Sequence, residues 1–339
     1  MMPSNRKSSF CTLSMLVVLG MFSLASQAQL PAKRMTRFGR RIEGQATAFA
    51  PAATGPRVAL GQSGLSFSFG LIDFPRSPDS VATGLNSRGD VVGLYGPNLP
   101  IYEGTEQSYV LEGNTFQQLI YPGASYTLGQ GINKSRKIVG WYSNSDGNAH
   151  AFLRKGKEYT TIDYPGSENT IASNINDAGE IIGIHYQNTT GTVHGFLLSK
   201  GVYTTIDPPN STYTEALGIN SAGVIVGVYE DQNSVDHGFI YQHGQFTTVD
   251  YPGASNTQLT GINDQGQMVG GYGDDVIIGS EDWPTPNTFF LDQGTFTPVQ
   301  APVGDAQVTL TGTLNGNEFV GLYVDSLGNI YGYEATIGQ

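Results

Sequence analysis

The chain has 339 residues, with 45 Gly, 17 Pro, a single Cys and a formal net charge of −12. That load of turn residues, with no sustained helical period, excludes a helical domain and fits an all-β chain. From Phe67 onward 28 carboxylates face 9 Lys and Arg, a field that repels phosphates, so the reading excludes nucleic acid as a partner.

Residues 1–28 read as an export signal. Arg6 and Lys7 form the charged head, Cys11 to Ala25 the apolar run, and Ala28 the end of a small-residue cleavage site. The mature chain is expected to begin near Gln29 and to be secreted or periplasmic. The apolar run is short of a bilayer span, and no later stretch approaches that length, so no transmembrane segment is expected. Because Cys11 lies in the signal, the mature protein is expected to lack disulfides and thiolate chemistry. Residues 29–66 are rich in Ala, Gly and Pro and carry Lys33, Arg34, Arg37, Arg40 and Arg41. They read as a flexible arm, with a basic tether to acidic polymers or lipid headgroups as the alternative.

From residue 67 to 339 the chain repeats itself. An asparagine followed by a degenerate N-x-x-G-x-x-V-G pattern recurs at Asn86, Asn133, Asn176, Asn220, Asn263 and Asn315, in steps of 47, 43, 44, 43 and 52 residues. Such a period marks a repeated supersecondary unit. Each unit holds four short β-branched and aromatic runs. Asn-x-x-Gly joins the first two as a tight turn, the Asn side chain bonding forward and the Gly taking a positive φ. Arg136 and Glu318 stand at the glycine position in the second and sixth units, so those turns are expected to differ or carry strain. Glycine inside the second run, at Gly93, Gly140, Gly183, Gly227, Gly270 and Gly321, suggests that neighbouring sheets approach closely there. Proline ends every fourth run.

The fourth run follows only the first five units, and the missing one, Phe69 to Pro75, lies ahead of the first. A strand supplied by the N-terminal side to complete the last sheet predicts a six-bladed β-propeller of four-stranded blades, closed by that strand. An open β-solenoid is the alternative.

The third run opens with His150-Ala151-Phe152, His194-Gly195-Phe196 and His237-Gly238-Phe239. With the G-I-N hairpin these resemble the HAF family of probable extracellular repeats, across Phe69 to Glu334. Ser108, Thr288 and Tyr331 are read as standing where the histidine would be. The resemblance implies an exported repeat protein and brings no catalytic residues.

Residues repeated in every blade are expected to build blades, while function breaks the symmetry on loops. His150, His194 and His237 read as structural hydrogen-bonders rather than metal ligands. Asp73, Asp163, Asp207 and Asp250 read as acceptors of backbone N–H groups in the turn. Tyr121, Tyr164 and Tyr251 read as packing between blades or as sugar-stacking platforms. The longest loop between second and third runs holds Asp274, Asp275, Glu281, Asp282 and Trp283, which suit a carbohydrate platform or a calcium loop. Asp146-Gly147-Asn148 and Asp325 to Asn329 resemble calcium-binding turns only loosely. His185 replaces a repeated tyrosine and is a candidate acid or base.

The leading reading is an exported binding protein that recognises a glycan or protein on its loop face, without a cofactor. The runner-up is a hydrolase, lyase or lactonase using carboxylates at the channel mouth, with or without calcium. The third is a structural surface module.

Overall fold

The computed structural model describes residues 58–59, 65–72, 74–75, 77, 79–96, 106–273, 287–299, 307–324 and 330–338. They form six antiparallel sheets arranged as a ring. Blades 1 to 5 cover residues 79–119, 126–161, 169–206, 213–249 and 256–299, each with its four strands in chain order. Blade 6 combines Gln307–Asn315, Glu318–Val324 and Ile330–Gly338 with Ser66–Ile72 from the other end of the chain. Leu71 pairs with Tyr333 in that seam, so the ring is closed as the count of runs predicts. One addition is a fifth strand: Val58–Ala59, inside the stretch read as an arm, pairs with Phe67 and Ser66.

First strands line the axis. The turns joining strands 1–2 and 3–4 share one face, called here the hairpin face. The 2–3 loops and the blade-to-blade connections share the other, the crossover face.

The second-strand glycine has a different cause from the one expected. In every blade the first strand carries a bulge, at Ala82/Gly84, Gly129/Gly131, Ala172/Asn174, Ala216/Gly218, Leu259/Gly261 and Thr309/Thr311. A bulge kinks its strand, and a Cβ on Gly93, Gly140, Gly183, Gly227 or Gly270 would overlap the carbonyl of Val81, Leu128, Ile171, Glu215 or Gln258 on that first strand. The close approach is therefore within a blade. Opposite these glycines sit Tyr109, Phe152, Phe196, Phe239, Phe289 and Tyr333, all fully buried. The aromatic fills the volume that the glycine leaves.

Neighbouring blades meet most closely at the glycine of G-I-N. A Cβ on Gly84 would overlap the Gln130 carbonyl, one on Gly131 would lie 2.8 Å from the Asn174 Cα, and one on Gly218 would lie 3.0 Å from the Gly261 Cα.

The register also moves the histidine position. Gly93 pairs with Tyr109 as Gly140 pairs with Phe152, and Tyr95 with Gln107 as Tyr142 with His150. Gln107 thus takes the place of His150. By the same register Tyr272 pairs with Asn287, so Asn287 is the counterpart in blade 5. Ser108 and Thr288 occupy the small-residue position instead, while Tyr331 does pair with Tyr323.

Candidate functional site

On the hairpin face the repeated asparagines form a belt around the axis. In blades 1 to 5 each Oδ1 accepts N–H groups within its own turn, as Asn220 does from Ala222 at 3.1 Å and Val224 at 3.0 Å. In the same five blades each Nδ2 donates to the next blade. Asn86 reaches the Asn133 carbonyl at 3.0 Å, Asn133 reaches Asn176 at 3.0 Å, Asn176 reaches Asn220 at 3.0 Å, Asn220 reaches Asn263 at 3.1 Å, and Asn263 reaches Gly316 at 2.6 Å. The belt encloses a cavity of about 210 Å³ with an apolar collar of Leu85, Ile132, Ile175, Ile219 and Ile262. The turn glycine departs as the sequence suggests. Arg136 keeps a positive φ of 57°, held by paired bonds of 2.8 and 2.9 Å to Asp90 of blade 1. Burial opposes a charge on Asp90, yet its bonds from Arg136 and Asn86 outweigh burial and hold its carboxyl below the usual range. In blade 6 Asn315 pairs with Glu318 across a shorter turn whose positive φ falls on Gly316.

On the crossover face the aromatic-proline corner of one blade covers the next. Tyr121 stacks on Tyr142 at 3.6 Å, Tyr164 on His185 at 3.6 Å, Tyr251 on Tyr272 at 3.5 Å and Phe74 on Tyr95 at 3.6 Å between ring centroids. One face of each corner ring is thereby consumed in packing between blades. The repeated histidines pair with the repeated aspartates: His150 Nδ1 lies 2.7 Å from Asp163, His194 Nδ1 2.7 Å from Asp207, and His237 Nδ1 2.8 Å from Asp250. Asp163 and Asp207 also accept the next backbone N–H, from Ala151 and Gly195. These aspartates thus brace the third strand rather than their own turn. Asp73 lies outside the described residues.

His150 additionally meets Asp146 at 3.0 Å, and Asp146 accepts the Asn148 N–H. That loosely calcium-like turn is engaged internally. Burial works against a charged His150 ring, but the two carboxylates prevail and raise it above its ordinary value. His185 behaves oppositely. Burial, reinforced by His194 and opposed by Asp207, lowers it to about 4, so the ring is neutral at pH 7. Its Nδ1 is 2.8 Å from the Ser167 hydroxyl and its Nε2 is buried without a partner. It meets a serine instead of a carboxylate.

The repeat is broken most on the inner part of this face. Blade 4 carries Glu215 where blades 1 to 3 have Val81, Leu128 and Ile171, and Asp236 where blades 2 and 3 have Ala149 and Val193. Burial first, then Glu230, Glu215 and Asp231, push Asp236 up to about 8. Blade 1 has Glu106 at the position of Asp236, only 5% exposed. Sequence reasoning passed over these three carboxylates, although blades 2 and 3 hold apolar residues at the same positions. Trp283, Asp274, Asp275, Glu281 and Asp282 lie outside the described residues, as do Asp325 to Asn329. Among the described residues no group of three His, Cys, Asp or Glu could hold a metal ion, and no helix is long and apolar enough to cross a membrane.

No family model matches the chain. No curated protein matches it either. Among solved structures it resembles a lectin of Aleuria aurantia in complex with Fucα1-6GlcNAc, at 11% identity and TM-score 0.47, over 77% of this chain and 94% of that one. It also resembles a putative TolB from Agrobacterium tumefaciens, at 11% identity and TM-score 0.49, over 78% and 92%. A third is the β-propeller domain of the Trilobed protease from Pyrococcus furiosus, at 10% identity and TM-score 0.43, over 84% and 94%.

Proposed function

We propose that this chain is an exported binding protein of the HAF type, which recognises a glycan or protein on its crossover face and catalyses no reaction. One observation carries the reading. The histidines and aspartates that recur are engaged in bracing their own blades and the asparagines and corner rings in tying blades together, whereas the buried carboxylates that break the repeat, Glu106, Glu215 and Asp236, lie on the crossover face. All described Lys and Arg lie at or beside the 1–2 and 3–4 turns. The crossover face is left acidic and histidine-bearing, a field that attracts cationic and hydrogen-bonding ligands and repels phosphates.

The test is a glycan and protein array probed with the chain starting at Gln29, with and without calcium. Binding that is lost in Trp283→Ala is the expected result. Binding retained at full strength by that variant contradicts the loop-face assignment.

A second reading, a hydrolase, lyase or lactonase at the channel mouth, is favoured by Asp236 alone, which at pH 7 is a protonated acid beside other carboxylates. Turnover of glycosides or lactones that is abolished in Asp236→Asn would select it.

A further inference from the structure

At the start of the first strand, blades 1, 3 and 5 clamp the blade before them through one side chain. Asp79 accepts the Ile330 N–H at 3.1 Å, Asn169 the Ala149 N–H at 2.9 Å, and Asn256 the Asp236 N–H at 2.9 Å. The seam between blades 1 and 2 has Tyr126 at this position, as that between blades 3 and 4 has Tyr213, and Tyr126 faces Glu106 where the clamped seams present Ile330, Ala149 and Asp236. A tyrosine there does not repeat the clamp. It leaves two polar atoms with no partner, Glu106 Oε2 and the Tyr126 hydroxyl, both buried.

Burial first, and then the nearby Glu106 charge, raise the Tyr126 hydroxyl well above its ordinary range. The Tyr126 ring lies 5.0 Å from that of Trp141, tilted by 42°. Trp141 breaks its own column, which elsewhere holds Leu94, Ile184, Val228, Gly271 and Leu322. A buried carboxylate oxygen without a donor is disfavoured, as is an unpaired hydroxyl. Among the described residues no Lys or Arg lies on this face to supply the missing charge.

We propose that the seam between blades 1 and 2 binds a primary alkylammonium group. Its charge meets Glu106, a second N–H bonds the Tyr126 oxygen, and the adjoining methylenes lie against the Trp141 and Tyr126 rings. An ammonium fits better than a metal ion because the site brings together one carboxylate and two aromatic rings, which favour a cation through cation–π attraction and supply too few oxygens for a hard metal. This rests on the crossover face being the binding face, and it names the ligand chemistry there.

The probe is n-butylammonium, titrated at pH 7 against the mature chain carrying Trp283→Phe, so that Trp141 is the remaining tryptophan. A saturable change in Trp141 emission is expected. Glu106→Gln should weaken binding at least tenfold and Tyr126→Phe several-fold, with circular dichroism melts reporting that each variant is folded. No saturation, an unchanged affinity in Glu106→Gln, or equal saturation by potassium or calcium would overturn the assignment. Because the Trp283 loop is altered throughout, loss of array binding in Trp283→Ala together with a silent Trp141 would reject this site alone. A responsive Trp141 with an empty array would reject only the loop.

Discussion

The two ends of the axis solve the same problem differently. At the hairpin face one amide, repeated in blades 1 to 5, makes the turn and the tie to the next blade together, so the chemistry is nearly uniform. At the crossover face the ties are divided among Asp, Asn and stacked rings, with His–Asp pairs bracing single blades, and individual blades depart from the pattern. A ring therefore tolerates variation at one end when the other end holds it. Changes at the hairpin face should cost stability, and changes at the crossover face should alter titration and binding instead.

The strongest way to break this contrast is Gly84→Ala, which drives a methyl into the Gln130 carbonyl of the next blade. Backbone cannot yield as a side chain does, so a loss of about 3 kcal/mol is expected in urea unfolding. A loss below about 1 kcal/mol would mean that the blades are less tightly apposed than this seam requires. Next comes Asn176→Ala, which removes the bonds to the Asn220 carbonyl and to Glu180. Leaving a buried carbonyl unpaired should cost about 2 kcal/mol, and Asn176→Asp should recover only part, since a carboxylate makes the turn but cannot donate across the seam.

The smallest effect is at the crossover face, where His185→Tyr restores the repeat. His185 titrates at about 4 in the fold against 6.5 for the free side chain, so the native state resists its protonation. Its contribution is complete above pH about 6.5 and is lost as pH falls toward 4. The tyrosine variant should flatten that acid limb of the melting curve while leaving stability at pH 7.5 nearly unchanged. An unaltered limb would show that His185 is not the group that titrates.

Much of this was legible in the chain itself, because a repeat states its own strand count and the Phe69 to Pro75 segment supplies the strand that the last unit lacks, which favours a ring over an open solenoid. The roles of individual residues were less legible. Glycine at Gly93 and its counterparts signals crowding without saying what crowds it, since a bulge in the partner strand leaves no mark of its own. Asn86 and its counterparts read as turn formers, but Asp or Ser would also form that turn. Their being Asn rather than Asp or Ser was the available sign of the donor that blades 1 to 5 use. Tyr121 and Tyr142 recur as two aromatic positions, yet only coordinates show them stacked. Glu106 was missed because the first blade was aligned one residue out of register.

The central claim is that the strand Ser66–Ile72 closes the ring, and because Cys11 is the one cysteine of the sequence, a chain starting at Gln29 makes it directly testable. Ser68 and Thr336 face each other across the seam, at a spacing of about 5 Å between antiparallel partners that a disulfide can span. In the Ser68→Cys, Thr336→Cys variant, oxidation should consume both thiols in a monomer and raise the melting temperature, as expected for a cross-link closing so long a loop. Two thiols still free after oxidation, or disulfides found only between molecules, would contradict the closed ring.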